Sequence, residues 1–275
     1  TFCRCSSPGK FYLRTLPAAG HAHLMVRRNE TMAEYNIDRY QRQITLLGDE
    51  GQDRLRRARV LVAGVGGLGT IVTANLAAAG VGFLRLADND RVELSNLNRQ
   101  FFFRPDDIGR EKSLAAMERL SILNPEIQVE GISQTIENET IHELVKDIDL
   151  IVDAMDNFTA RFILNQATFS RRLPLIHGAV RGFCGQATTL IPGKTGCLQC
   201  FFAGNPPGEI VPVIGATCGV IGSVQATETI KVLTGRGEPL ADRLFFWDGR
   251  AGEGTVIDAK RNPRCIICGS GRSVG

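Results

Sequence analysis

Residues 59–70 read RVLVAGVGGLGT, a short apolar run that opens into glycines at Gly64, Gly66, Gly67 and Gly69. A continuous Val/Leu/Ala run followed at once by glycines is the pattern of a strand buried on both faces and feeding a helix. The Gly64-x-Gly66-x-x-Gly69 spacing permits a tight turn, close approach of backbone to a phosphate, and close packing of helix on strand. The helix is expected to begin near Thr70, with the phosphate at its positive N-terminus. A glycine-rich turn without a ligand uses the same residues, and the motif does not say which nucleotide it would hold.

A chain of 275 residues can bury the core of one large domain, and no apolar run in it reaches the length of a membrane span. The net charge is +3. Residues 1–31 hold five Lys/Arg and one acid, a balance of +4, so the rest of the chain sums to −1. That excludes the basic excess of a dedicated nucleic-acid binder, and no nucleic-acid partner is expected. Four of the eight cysteines fall in two CxxC pairs, Cys197/Cys200 and Cys265/Cys268. In a chain of this size without an export signal, such pairs favour a metal in a reducing, cytoplasmic setting over disulfides.

Residues 1–31 have neither clear periodicity nor the apolar stretch of a signal peptide, and Met32 is followed by a more ordinary start. They read as a disordered extension, and 32–275 as a single domain. Cys3, Cys5, His21 and His23 read as tail residues rather than metal ligands. The segment DRYQRQITLLGDEGQDRLRRA (38–58) mixes charge with helical apolar spacing. Beyond the glycine loop, helices are expected over 71–79, 113–123, 141–146, 158–171 and 220–233, the last stopped by Gly235. Strands are expected over 60–63, 83–88, 127–132, 150–155, 174–180 and 186–191. The alternation implies an α/β fold with a doubly wound, mostly parallel sheet. The later strands lack intervening helices and imply an antiparallel C-terminal continuation. Residues 204–215 (GNPPGEIVPVIG) are too rich in Pro and Gly for regular structure.

Ligands of open α/β sheets bind beyond the carboxyl ends of the strands, where the glycine loop, Asp88 and Asp156-Asn157 collect. Asp88, nineteen residues past Gly69, suits hydrogen bonds from ribose hydroxyls. The polar run from Asp88 to Gln100 carries Arg99 as its single late arginine, and Lys112 opens the next helix. These two charges would lie near the phosphates, where anionic charge builds up in phosphoryl chemistry. Asp156 could hold Mg²⁺, which takes one or two carboxylates plus phosphate oxygens and water. The four CxxC thiolates suit a closed tetrahedral structural Zn²⁺ site that would tie the C-terminal tail to the segment after the 186–191 strand. Cys218 and Cys184 read as packing residues and His177 as a satisfied core histidine, so no catalytic base is evident.

The stretches RYQRQ (39–43), GVGGLG (64–69), LADNDRVELSNLNRQ (86–100), GREK (109–112), DAMDN (153–157), CLQC (197–200), GVIGSVQATETIKVL (219–233) and CIICG (265–269) together resemble the MoeB/ThiF/HesA family of adenylyltransferases, relatives of ubiquitin-activating enzyme. The resemblance implies a Rossmann-like fold with a structural zinc. It also implies an enzyme that uses ATP and Mg²⁺ to adenylate the C-terminal glycine carboxylate of a small ubiquitin-like sulfur-carrier protein ending in Gly-Gly. By motif match, Gly64, Gly66, Gly67 and Gly69, with Asp88, Asp90, Ser95, Asn96, Leu97, Asn98, Arg99 and Gln100, line the nucleotide. Arg99 and Lys112 stabilise phosphate charge, Asp156 binds Mg²⁺ beside Asn157, and Arg42 reaches the ATP of a partner subunit, which implies a homodimer.

Two alternatives stand beside this reading. The same fold could adenylate another carboxylate, of a peptide, a small cofactor precursor or a modified tRNA base. The glycine fingerprint could instead serve an NAD-dependent oxidoreductase, which leaves Arg99, Lys112 and Asp156 unexplained. Sulfur-transferring relatives often carry a cysteine between the first CxxC and the late helix, and 204–215 has none.

Overall fold

The apolar run ahead of the glycine loop is sandwiched. Val60 and Val62 pack with Leu76, Leu120 and Ala226 on one face of the sheet, while Leu61 and Ala63 pack with Leu144 and Leu164 on the other. A strand covered on both faces must be apolar at every position, which is why this stretch lacks the alternation of a half-exposed strand.

The computed structural model describes residues 14–15, 23–25, 35–202 and 212–269. Its elements run β1 (Arg14–Thr15), β2 (His23–Met25), α1 (Gln41–Arg57), β3 (Arg59–Ala63), α2 (Gly67–Ala78), β4 (Phe83–Ala87), α3 (Lys112–Leu123), β5 (Gln128–Ile132), α4 (Ile141–Leu144) and β6 (Leu150–Asp153). They continue through α5 (Phe158–Arg171), β7 (Leu175–Arg181), β8 (Cys184–Leu190), α6 (Leu198–Phe201), α7 (Gly215–Thr234), β9 (Arg243–Asp248) and β10 (Glu253–Asp258). The strands form one sheet in the order β1-β2-β5-β4-β3-β6-β7-β8-β9-β10. Pairs β5–β4, β4–β3, β3–β6 and β6–β7 are parallel, and β7–β8, β8–β9 and β9–β10 are antiparallel. The doubly wound sheet with its antiparallel continuation is the fold expected from the sequence. Strands β1 and β2 fall inside the expected extension, and β2 pairs antiparallel with β5. The rest of 1–34, including Cys3, Cys5 and His21, the side chain of His23, and most of the 204–215 loop lie outside the described residues.

The chain leaves β3 toward β4 on one side and returns to β6 on the other. The winding reverses there, so a crevice opens between the carboxyl ends of β3 and β6. Helix α2 begins at Gly67, three residues before the expected start. The glycines that make the turn also form the first helical turn, and the first i→i−4 bond runs from Thr70 N to Gly66 O at 3.0 Å. Helix α7 likewise begins five residues early, at Gly215, and Gly235 at φ +69° ends it as expected. Among the described residues no helix is long and apolar enough to cross a membrane.

Candidate active site

Three of the four glycines of the loop answer separate crowding constraints. Gly64 sits at φ +87°, and a β-carbon there would lie 2.8 Å from the carbonyl oxygen of Ala154. A β-carbon on Gly69 would come within 2.0 Å of the Gly64 carbonyl oxygen, so the helix rests directly on the turn. On Gly67 it would meet the Cys218 Sγ at 2.7 Å, with Arg99 Cδ at 3.6 Å. At Gly66 the nearest atom is Gln100 Nε2 at 3.7 Å, an ordinary contact, so a β-carbon there would crowd nothing. Three glycines fit the loop to its neighbours, and the fourth, at the N-cap of α2, is uncrowded.

Asp88 follows the end of β4 and is built into the loop. Its Oδ2 accepts the Val65 N–H at 2.7 Å and its Oδ1 accepts the Asp90 N–H at 2.8 Å. Burial pushes its carboxyl above the usual carboxylate range, opposed by the Lys112 charge and the two backbone donors. Lys112, at the start of α3, donates to Asp90 Oδ2 at 2.8 Å. The 88–100 run then folds into tight turns. Asn96 Oδ1 accepts the Glu93 N–H at 3.1 Å, and Ser95 Oγ donates to Glu93 Oε2 at 3.2 Å. Arg99 donates to Ser95 O at 2.8 Å and to Asn98 Oδ1 at 3.1 Å. Asn96 and Gln100 are buried and Leu97 half-buried, so these three belong to the frame of the loop, while Ser95 and Asn98 are exposed.

The turn after β6 completes the crevice, since Ala154 and Met155 pack against Gly64. Asp156 and Asn157 are exposed. Asn157 accepts the Ala160 N–H at 2.9 Å and caps α5. The Asp156 carboxylate has one hydrogen bond among the described residues, from Asn157 Nδ2 at 3.4 Å, and no ion pair. An exposed, otherwise uncommitted carboxylate fits a site for Mg²⁺ completed by phosphate oxygens and water.

Arg42 is not brought to this crevice. Its neighbours in the RYQRQ run are anchors: Arg39 bonds Glu126 Oε1 at 3.1 Å, Tyr40 donates to Glu126 Oε2 at 3.1 Å, and Gln43 donates to Ala79 O at 2.7 Å. Arg42 stays exposed, with no side-chain hydrogen bond or ion pair among the described residues.

The sequence reading missed a buried polar group beneath the 154–157 turn. Asp153, at 0% exposure, accepts from His177 Nδ1 at 2.7 Å and from the Met155 N–H at 3.1 Å. Arg161 donates to Met155 O at 2.5 Å, and Gln225 of α7 donates to Asp153 O at 2.7 Å. Burial depresses the His177 pKa, so the ring is neutral with its proton on Nδ1 toward Asp153. His177 is thus a core histidine bonded to Asp153 through Nδ1, while its Nε2 has no hydrogen-bond partner among the described residues. The available signal was a histidine in the apolar strand PLIHGAV and an aspartate closing LIVD.

The cysteines separate into two groups. The Sγ atoms of Cys197, Cys200, Cys265 and Cys268 lie within 4.8 Å of one another, with Cys197–Cys265 at 3.5 Å and Cys200–Cys268 at 3.4 Å. Four sulfurs at ~2.3 Å from a tetrahedral zinc would stand ~3.8 Å apart, so this cluster could hold that ion. Burial pushes the Cys197 thiol up and Cys268 up to about 11, an arrangement of buried sulfurs that a dication would compensate. Against its own burial, Cys265 is held at about 7 by the backbone N–H groups of Cys268 and Ile267. Cys218 is buried in the first turn of α7, and burial pushes its thiol up to about 11, consistent with packing. Cys184 is half-buried, not core, because β8 begins there at the rim of the sheet.

Comparison with known proteins follows the same lines. Residues 40–267 match the ThiF family. The chain is 42% identical over 246 residues to the sulfur carrier protein adenylyltransferase of Thermus thermophilus, covering 85% of this chain and 91% of that protein. It is 38% identical to the sulfur carrier protein ThiS adenylyltransferase of Escherichia coli, covering 86% and 97%. Among solved structures, E. coli MccB with ATP superposes with a TM-score of 0.78 at 25% identity, covering 88% of this chain and 77% of that one.

Proposed function

The chain belongs to the ThiF family, and from that premise we propose that it adenylates the C-terminal glycine carboxylate of a small ubiquitin-like sulfur-carrier protein. It is an adenylyltransferase, as its relatives are. The observation that carries the reading is the meeting of the uncrowded Gly66 turn, Asp88 with the Lys112–Asp90 pair beside it, and the Asp156 turn in one crevice.

A carboxylate does not accept sulfur unaided, because its oxygen is a poor leaving group. In the reaction proposed, a carrier carboxylate oxygen attacks the α-phosphorus of ATP, the bond to the bridging oxygen breaks, and pyrophosphate leaves. The acyl-adenylate then holds AMP as a good leaving group. The attacking carboxylate is already ionised at neutral pH, so no base is needed. The work is positioning and charge stabilisation. Each Asp88 oxygen takes one backbone N–H and keeps capacity for a ribose hydroxyl. The first turn of α2 meets the phosphates, and Arg99 and Lys112 offset their charge. Magnesium, when held by Asp156, adds positive charge at the phosphate oxygens. Arg42, exposed on a firmly anchored segment, is free to reach the site of a second copy, so we infer a homodimer; a cytoplasmic location fits the four free thiols of the cluster.

The test is ATP–pyrophosphate exchange dependent on a Gly-Gly-ended carrier and on Mg²⁺. Exchange with the carrier, abolished by Asp156→Ala, supports the reading; robust exchange with a peptide or a small acid instead assigns the second carboxylate class.

A further inference from the structure

We propose that Arg161, with Asp153 behind it, is a positioning residue that holds the Asp156 carboxylate where it meets the metal–nucleotide complex. The inference rests on the reading of Asp156 as the magnesium acid.

The Met155 peptide groups ahead of Asp156 and the Asn157 side chain after it are held, while the Asp156 carboxylate is left almost uncommitted. On the N-terminal side, the Met155 N–H goes to Asp153 Oδ1 at 3.1 Å and the Met155 carbonyl accepts from Arg161 Nη2 at 2.5 Å. On the C-terminal side, Asn157 caps α5 through Ala160 N. A turn that is exposed at its tip is thus bonded from below by two nearly buried charged side chains.

The clamp is itself braced. Arg161 reaches Gly178 O of β7 at 3.4 Å, and its Nε stands 3.7 Å from Asp153 Oδ2, an ion pair too long for a hydrogen bond. Asp153 is oriented by His177 from β7, and its carbonyl is held by Gln225 from α7. The Phe158 ring lies 5.3 Å from the Arg161 guanidinium. Burying an arginine, an aspartate and a histidine together adds little stability compared with apolar residues of similar volume. Such a group secures one geometry, and the backbone it fixes is the one that carries Asp156.

The test is Mn²⁺ binding, read by electron paramagnetic resonance with a saturating non-hydrolysable ATP analogue, so that no turnover is required. Arg161→Gln is expected to weaken Mn²⁺ binding about tenfold, the effect of removing a group that orients a metal ligand. Arg161→Lys, which restores a cationic donor, is expected to recover part of the loss. If Asp156→Ala leaves Mn²⁺ binding intact, the assignment of Asp156 fails and takes the clamp with it. If Asp156→Ala abolishes binding while folded Arg161→Gln and Arg161→Lys bind within twofold of wild type, the clamp alone is overturned. Where the glutamine variant does not fold, the wild-type protein decides: the Met155 amide is expected to resist hydrogen exchange before nucleotide or metal is added, and exchange at the rate of an open chain overturns the clamp.

Discussion

Lys112 donates to Asp90 across 2.8 Å from a side chain only 7% exposed, while Asp90 is 60% exposed. The ammonium is sheltered and its partner faces solvent, so the pair adds little to stability and holds a charge beside Asp88. Lys112→Met is expected to reduce exchange by about 10²–10³-fold, the usual loss when a preorganised charge donor is removed. Its melting temperature should stay near that of wild type, because breaking a pair with an exposed partner costs at most ~1 kcal/mol. Turnover within threefold of wild type would sink the role given to Lys112.

The glycines of the loop are expected to fail in different ways. Gly69→Ala pushes a methyl group to 2.0 Å from the Gly64 carbonyl and should lower stability by about 1–3 kcal/mol or more in chemical denaturation. Gly66→Ala meets only Gln100 Nε2 at 3.7 Å and should fold normally while binding ATP more weakly. Unchanged ATP affinity in Gly66→Ala would remove the phosphates from this turn.

For the cysteine cluster, elemental analysis is expected to find about one zinc per chain. Cys265→Ser should lose most of it and melt at a lower temperature, because binding energy at such a site is folding energy. Zinc content and melting point both unchanged would leave the cluster as four unliganded thiols.

Arg42 can be tested by mixing subunits. Arg42→Ala and Asp156→Ala are each expected to be inactive, but their mixed dimer contains one site with both residues intact. Random reassortment of a two-fold dimer should restore about a quarter of wild-type exchange. No recovery after confirmed subunit exchange would confine Arg42 to its own chain.

The parallel sheet was legible because strands covered on both faces are written as unbroken apolar runs, as at 60–63 and 150–153. The antiparallel end was legible where no helix separates successive strands, as between β7 and β8, although α6 and α7 lie between β8 and β9. Element starts were less legible. The helix beginning at Gly67 could not be placed from residues with poor helix propensity, since the contact that fixes it, Gly69 against the Gly64 carbonyl, is tertiary. The surroundings of Asn96 and Gln100 were hidden for a related reason. A polar run reads as solvent-facing, whereas here a short turn folds its amides inward. Asp153, His177 and Arg161 share no sequence spacing, and only the pairing of β6 with β7 brings the first two together.

The cysteine pairs stand 68 residues apart in the chain, as Cys197 from Cys265 and Cys200 from Cys268. Between them lie α7 and the β9–β10 hairpin, whose first strand pairs with β8. In the folded chain the cluster therefore joins the segment that follows β8 to the segment that follows β10, across the antiparallel end of the sheet.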